Sequence, residues 1–201
     1  DYNSRLLSQA DKQVMFGSRI YKNIDAPKVY DIQENYFDME YIAGKSFEDF
    51  FSMASVNDVE FVVSTLFDYF DTLISTARNI DATKQILDKL DSLKEKSSYP
   101  KYIEFLRKYV EDNKMIVPHT FCHGDLTFAN IIFHQNRLFF IDFLDCYVDT
   151  FLSDLVKLKQ DLHHLWAVRN QDVYTVRIHQ IYEYIWDKIE VRYADYLCLL
   201  Y

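Results

Sequence analysis

Phe121-Cys122-His123-Gly124-Asp125-Leu126-Thr127-Phe128-Ala129-Asn130 runs straight into Ile131-Ile132-Phe133, and twelve positions after Asn130 comes Ile141-Asp142-Phe143. Polar groups stand here in an apolar frame. Two short β runs, 130–133 and 138–141, flank His134-Gln135-Asn136-Arg137, which predicts a hairpin. Such a hairpin brings Asn130 and Asp142 side by side at neighbouring strand ends, with Asp125 one loop away. Hard oxygen donors at one point suit Mg²⁺, which takes one or two carboxylates together with substrate phosphates. Asp125 is then free to accept a proton from an attacking hydroxyl, or to orient it. The plainer reading is a buried hairpin with incidental polar residues. Carboxylates left unpaired among Phe, Ile and Leu would be costly, so some partner is expected.

Outward from this block the texture is mostly helical. Val59, Val62, Val63, Leu66, Phe70 and Leu73 form one stripe at helical spacing, with Asn57 or Asp58 as the expected cap. Residues 83–95 and 100–113 read as two amphipathic helices, the second with Pro100 in its first turn. Residues 151–166, 171–188 and 189–200 return to helix. Nearer the start, 4–21 reads as a helix ended by Ala26-Pro27. Residues 28–32 and 36–42 follow as two strands across a turn, and Ser46 with Glu48 and Asp49 opens the next helix.

Composition narrows the function. The 201 residues are long enough for one real core, and 16 Phe with 16 Tyr exclude a disordered chain. No apolar run approaches the roughly 18–20 residues of a membrane span. A net charge of −9 argues against broad nucleic-acid binding, which needs clustered Lys and Arg, and leaves room for a cationic substrate. Three widely spaced cysteines, Cys122, Cys146 and Cys198, point to reduced thiols in a cytoplasmic protein rather than a disulfide framework. Cys122-His123 is no zinc pair, because adjacent residues diverge and no second pair stands at zinc spacing. The only glycines, Gly17, Gly44 and Gly124, cannot write a glycine-rich phosphate loop or G-x-S-x-G.

His123-Gly124-Asp125-x4-Asn130 with Ile141-Asp142-Phe143 resembles the H-G-D-x-x-x-x-N and I-D-F/W motifs of the aminoglycoside phosphotransferase and choline kinase family, small-molecule kinases of protein-kinase-like fold. Met39-Glu40-Tyr41-Ile42-Ala43-Gly44 is similar to that family's hinge, and Ala26-Pro27-Lys28-Val29 to the approach to the preceding strand. The resemblance implies a catalytic Asp125, Asn130 and Asp142 holding magnesium, and backbone of Glu40 and Ile42 on the adenine edge of ATP. It also implies that His123 is structural in the catalytic loop and that Asp154 braces it. Leu144 stands where protein kinases have the glycine of D-F-G, as is common in the small-molecule kinases. The family's ATP-binding lysine, the strands before it and its helix glutamate have no match; Asp11 and Gln13 lie only in the vicinity of the last. Asp145 and Asp149 either face a cationic substrate or form a solvated loop.

The expected fold is α+β and protein-kinase-like, with a partial N-terminal lobe and hinge over 1–43 and a helical catalytic lobe over 44–201. The expected activity is Mg²⁺-assisted transfer of the ATP γ-phosphate to a hydroxyl of a metabolite, sugar, amino alcohol or aminoglycoside. The alternative is a non-catalytic kinase-like binding or scaffold protein. Expected partners are one small hydroxylated substrate and an upstream domain carrying the missing phosphate loop, with no nucleic acid and no membrane.

Overall fold

The structure is a computed structural model and describes residues 2–168 and 176–197. The start of the expected helix at 171–188, the end of that at 189–200, and Cys198 lie outside the described residues. Helix α1 (Tyr2–Gly17) is followed by strands β1 (Ile24–Asp25), β2 (Val29–Ile32) and β3 (Phe37–Met39). Then come α2 (Phe47–Met53), α3 (Val56–Ser75), β4 (Arg78–Asp81), α4 (Thr83–Lys94), α5 (Pro100–Asp112) and β5 (Ile116–His119). The hairpin strands are β6 (Ile131–His134) and β7 (Arg137–Phe140), and α6 (Phe151–Leu162), α7 (Val176–Arg192) and α8 (Ala194–Leu197) follow. The fold is therefore α+β, with small sheets set among helices.

Local chemistry explains most of these boundaries. The Ser46 hydroxyl accepts from Asp49 N–H and starts α2 as expected. The cap of α3 lies earlier than Asn57 or Asp58: Ser55 accepts from Asp58 N–H while the Asp58 side chain accepts from Ser55 N–H. That reciprocal box satisfies two donors at once, which neither expected cap does alone. Helix α6 stops at Leu162 rather than 166, because the Asp161 carboxylate accepts Ala167 N–H and turns the chain, with Leu165 at φ 57°. The first helix likewise ends at Gly17, so that Tyr21 can drop into the core.

Two pairings join distant segments. β1 lies parallel to β7, so the β6–β7 hairpin becomes the centre and edge of a three-stranded sheet ordered β1-β7-β6. β4 pairs antiparallel with β5 at the base of the α4–α5 hairpin. Phe16, Tyr21, Tyr69, Phe140 and Phe143 belong to one apolar core that is continuous across residue 43 and extends to Tyr182, Ile185 and Tyr193 of the last helices. The Arg177 guanidinium ties α7 to α2 by donating to Phe51 O at 2.9 Å and to Ala54 O.

Candidate active site

The hairpin sets the geometry. Ile131 pairs with Phe140 and His134 with Arg137, across a two-residue turn in which Gln135 and Asn136 have φ 46° and 58°. At the open end Ile141 N–H donates to Asn130 O at 3.1 Å, so Asp142 is one residue from the partner of Asn130. A turn of 3₁₀ helix over Phe128–Asn130 delivers the asparagine. Its Nδ2 donates to Asp125 O at 2.8 Å and to Asp125 Oδ2 at 3.1 Å. With the amide nitrogen committed to Asp125, Asn130 Oδ1 remains as an acceptor for a cation. Asp142 is exposed and has φ 59°, a left-handed conformation that a non-glycine residue holds at a cost. Two hard oxygen donors at the strand ends, one a carboxylate, are a donor set that fits Mg²⁺.

His123 is a strut between the two loops. It is fully buried, packed against Phe140 and Phe143, with ring centroids 5.7 and 4.4 Å away. Its Nδ1 accepts Asp125 N–H at 3.2 Å, and Nε2 lies 2.8 Å from Ile141 O. That network places the ring proton on Nε2, and burial pulls the imidazole down to about 4, keeping it neutral. Asp154, in the first turn of α6, accepts His123 N–H at 2.7 Å, Gly124 N–H at 2.8 Å and Tyr69 O–H at 3.3 Å. Burial pushes its carboxyl up to about 6, against the pull of those donors. Gly124 has φ 92°, and a Cβ there would stand 2.1 Å from Leu144 O, so only glycine lets the two loops approach.

Two residues of α6 joined this constellation without being anticipated. Lys157 Nζ lies 2.9 Å from Asp125 Oδ1. Asp161, fully buried, accepts Phe128 N–H at 2.6 Å and so holds the 3₁₀ turn. Residues 154, 157 and 161 share one helical face, and the signal was there to read: charged residues at i, i+3 and i+7 interleaved with Leu155, Leu158 and Leu162.

The segment expected to act as a hinge stands beside the same hairpin. Lys45 and Phe133 exchange backbone hydrogen bonds at 2.9 and 3.0 Å, so the chain after Gly44 adds to β6. Glu40 N–H donates to Lys28 O, while Lys28 N–H goes to the Glu40 carboxylate instead of the Glu40 carbonyl. The ladder ends there, which is why β3 closes at Met39 and not at Ile42. Neither Glu40 O nor Ile42 N–H has a backbone partner among the described residues. Asp145 and Asp149 turn toward α1: Ser8 O–H donates to Asp145 at 2.6 Å, and Lys12 Nζ lies 4.0 Å from Asp149. The pocket they line has none of Asp125, Asn130 or Asp142 in its wall. Gln13 is buried and donates to Pro27 O, and Lys12 donates to Leu144 O, so α1 clasps both the first sheet and the loop after Asp142.

Comparison with curated proteins and with solved structures finds no match to the chain. The family model described as phosphotransferase enzyme family matches residues 4–191. That span holds every residue of the constellation, from the clasp of α1 to the braces on α6, and the chain belongs to the phosphotransferase enzyme family.

Proposed function

We propose that the protein transfers the γ-phosphate of ATP to a hydroxyl of a small metabolite. The observation that carries this reading is the mouth of the β6–β7 hairpin, where Asn130 is bonded to Asp125 and accepts the N–H of Ile141, the residue before Asp142. Asn130 Oδ1 and the Asp142 carboxylate would hold Mg²⁺, which when bound neutralises phosphate charge. Asp125 receives or orients the acceptor's hydroxyl proton, and the two donors on its side chain, Asn130 Nδ2 and Lys157 Nζ, fix the carboxylate's direction. His123 and Asp154 hold the loop rather than react. Glu40 O and Ile42 N–H offer an acceptor and a donor suited to the adenine edge. Positioning and charge neutralisation do most of the work in such transfers, and these residues supply both.

The test is ATP consumption by the whole protein, in magnesium buffer, against a panel of sugars, amino alcohols and aminoglycosides. One acceptor should stimulate turnover, and Asp125→Asn should lower it by about 10²–10⁴-fold with the fold retained. An Asp125→Asn protein as active as the wild type would remove the assignment.

A further inference from the structure

Beneath α1 lies a cluster that the phosphoryl chemistry leaves unused. Cys122 directly precedes His123 and is fully buried; Cys146 lies four residues beyond Asp142 and is partly exposed. Their sulfurs are 2.8 Å apart, roughly 0.8 Å longer than a disulfide bond of about 2.05 Å. Lys12 Nζ sits 3.7 Å from Cys122 Sγ and 4.0 Å from Cys146 Sγ, and Asp149 Oδ1 lies 3.5 Å from Cys122 Sγ. Cys146, but not Cys122, lines a surface pocket of about 380 Å³ together with Ser8, Lys12, Arg19 and Thr120. One thiol is thus presented to small molecules in a pocket of mixed charge, where Lys12 and Arg19 share the wall with Asp11, Asp145 and Asp149, and its partner waits behind it.

Zinc fits this cluster poorly. The ligand atoms of Cys122, Cys146 and Asp149 all lie within 4.8 Å of one another. Two thiolates on a tetrahedral zinc at about 2.3 Å, however, stand roughly 3.8 Å apart. The sulfurs here are a full ångström closer, and the Lys12 ammonium occupies the adjoining space. Charge agrees with a thiol–thiolate pair: the hydrogen bond from Cys122 draws the Cys146 thiol down, with Lys12 assisting, while the same bond and burial push Cys122 up.

We propose that Cys122 and Cys146 are a redox-active pair that closes to an intramolecular disulfide by exchange with a small disulfide, Cys146 attacking and Cys122 resolving. In the first step the Cys146 thiolate forms a bond to one sulfur of the oxidant, whose S–S bond breaks, and the departing thiolate takes a proton from water. In the second the Cys122 sulfur attacks Cys146 Sγ and passes its proton to the second departing thiolate. Two protein thiols are oxidised, and one disulfide is reduced to two thiols. The bond would tie the residue before His123 to the segment after Asp142, across the close approach that Gly124 permits. The chemistry itself stands independently of the phosphotransfer reading.

The test is to treat the whole reduced protein with oxidised glutathione, quench with an alkylating agent, and read the intact mass and linked peptides. The expected product has lost two hydrogens and joins the peptides of Cys122 and Cys146. Cys122→Ala should stop at one glutathione adduct on Cys146, Cys146→Ser should take none at Cys122, and Lys12→Met should slow closure about tenfold. The wild-type mapping decides by itself should a variant fail to fold. A stable adduct with Cys122 still alkylatable, a bond to Cys198, both thiols left reduced, or protection of both by one tightly held zinc would each overturn the proposal.

Discussion

At the scale of single residues, His123 and Asp154 are two buried titratable groups on one loop whose protonation pulls in opposite directions. Burial holds His123 near 4 against an ordinary 6.5, so the native state binds fewer protons than the unfolded chain between those values. Its contribution is present above about pH 6.5 and is lost as pH falls toward 4. Asp154 is held near 6 against 3.8, so the native state binds the extra proton there, and its contribution grows as pH falls through the same window. Each window is worth up to about 3 kcal/mol, and the two nearly cancel. Urea midpoints of Asp154→Asn should therefore fall on acidification from about pH 6 to 4, while those of His123→Gln should rise relative to wild type over the same range. Parallel profiles for the two variants would refute the opposed assignment.

At the scale of elements, the hairpin turn and the face of α6 are separable devices. Gln135 and Asn136 both sit at positive φ, the pattern of a type I′ turn, where Asn-Gly is preferred. A left-handed residue without special tolerance costs about 1–2 kcal/mol. The double change Gln135→Asn with Asn136→Gly should raise the unfolding free energy by about 1 kcal/mol, seen as a higher denaturation midpoint at unaltered m-value. A lowered midpoint would mean that the side chains, not the backbone, hold the turn. Helix α6 presents Asp154, Lys157 and Asp161 to the loop, but only Lys157 touches the Asp125 side chain. Lys157→Met keeps the helix and the apolar stem, so stability should change by less than about 1 kcal/mol, since a half-buried pair still open to solvent contributes little. Turnover should nonetheless fall about tenfold through loss of charge and orientation beside Asp125. Steady-state kinetics on the first acceptor identified checks this, and an unchanged kcat would reduce the lysine to a surface ion pair.

At the scale of the molecule, the hairpin is where the chain is stitched together. β7 carries β1 on one side and β6 on the other, and Phe140 reaches Phe16, Tyr69 and His123 at centroid distances of 5.6, 5.4 and 5.7 Å. One core holds residues from both sides of position 43, so the segment before it has no core of its own to unfold around. Thermal unfolding should be a single transition with equal calorimetric and van't Hoff enthalpies. Phe140→Ala should cost about 3–5 kcal/mol and move that transition as a whole. An early, separate loss of near-UV signal from the first segment would show two units. Among the described residues, no helix is long and apolar enough to cross a membrane.

What the amino-acid sequence determined by itself was local. The long stripe of α3, the paired helices α4 and α5, the Ser46 cap and the β6–β7 hairpin each express a period or a turn within a few residues. The spacing of Asp125, Asn130 and Asp142 around that hairpin made the candidate site readable as well. Only the tertiary structure decided the contacts between segments far apart in the chain. β1 is two residues long, and β4 and β5 are four each, too short to carry an alternation that stands out from helix or loop. Lys12 meets Cys122 and Cys146 across more than a hundred positions, and no pattern within α1 distinguishes its side chain from any other lysine on an amphipathic helix. A periodicity records which face of an element is apolar; which polar side chain on its rim finds a partner depends on how the elements pack, and packing energy leaves no local trace in sequence.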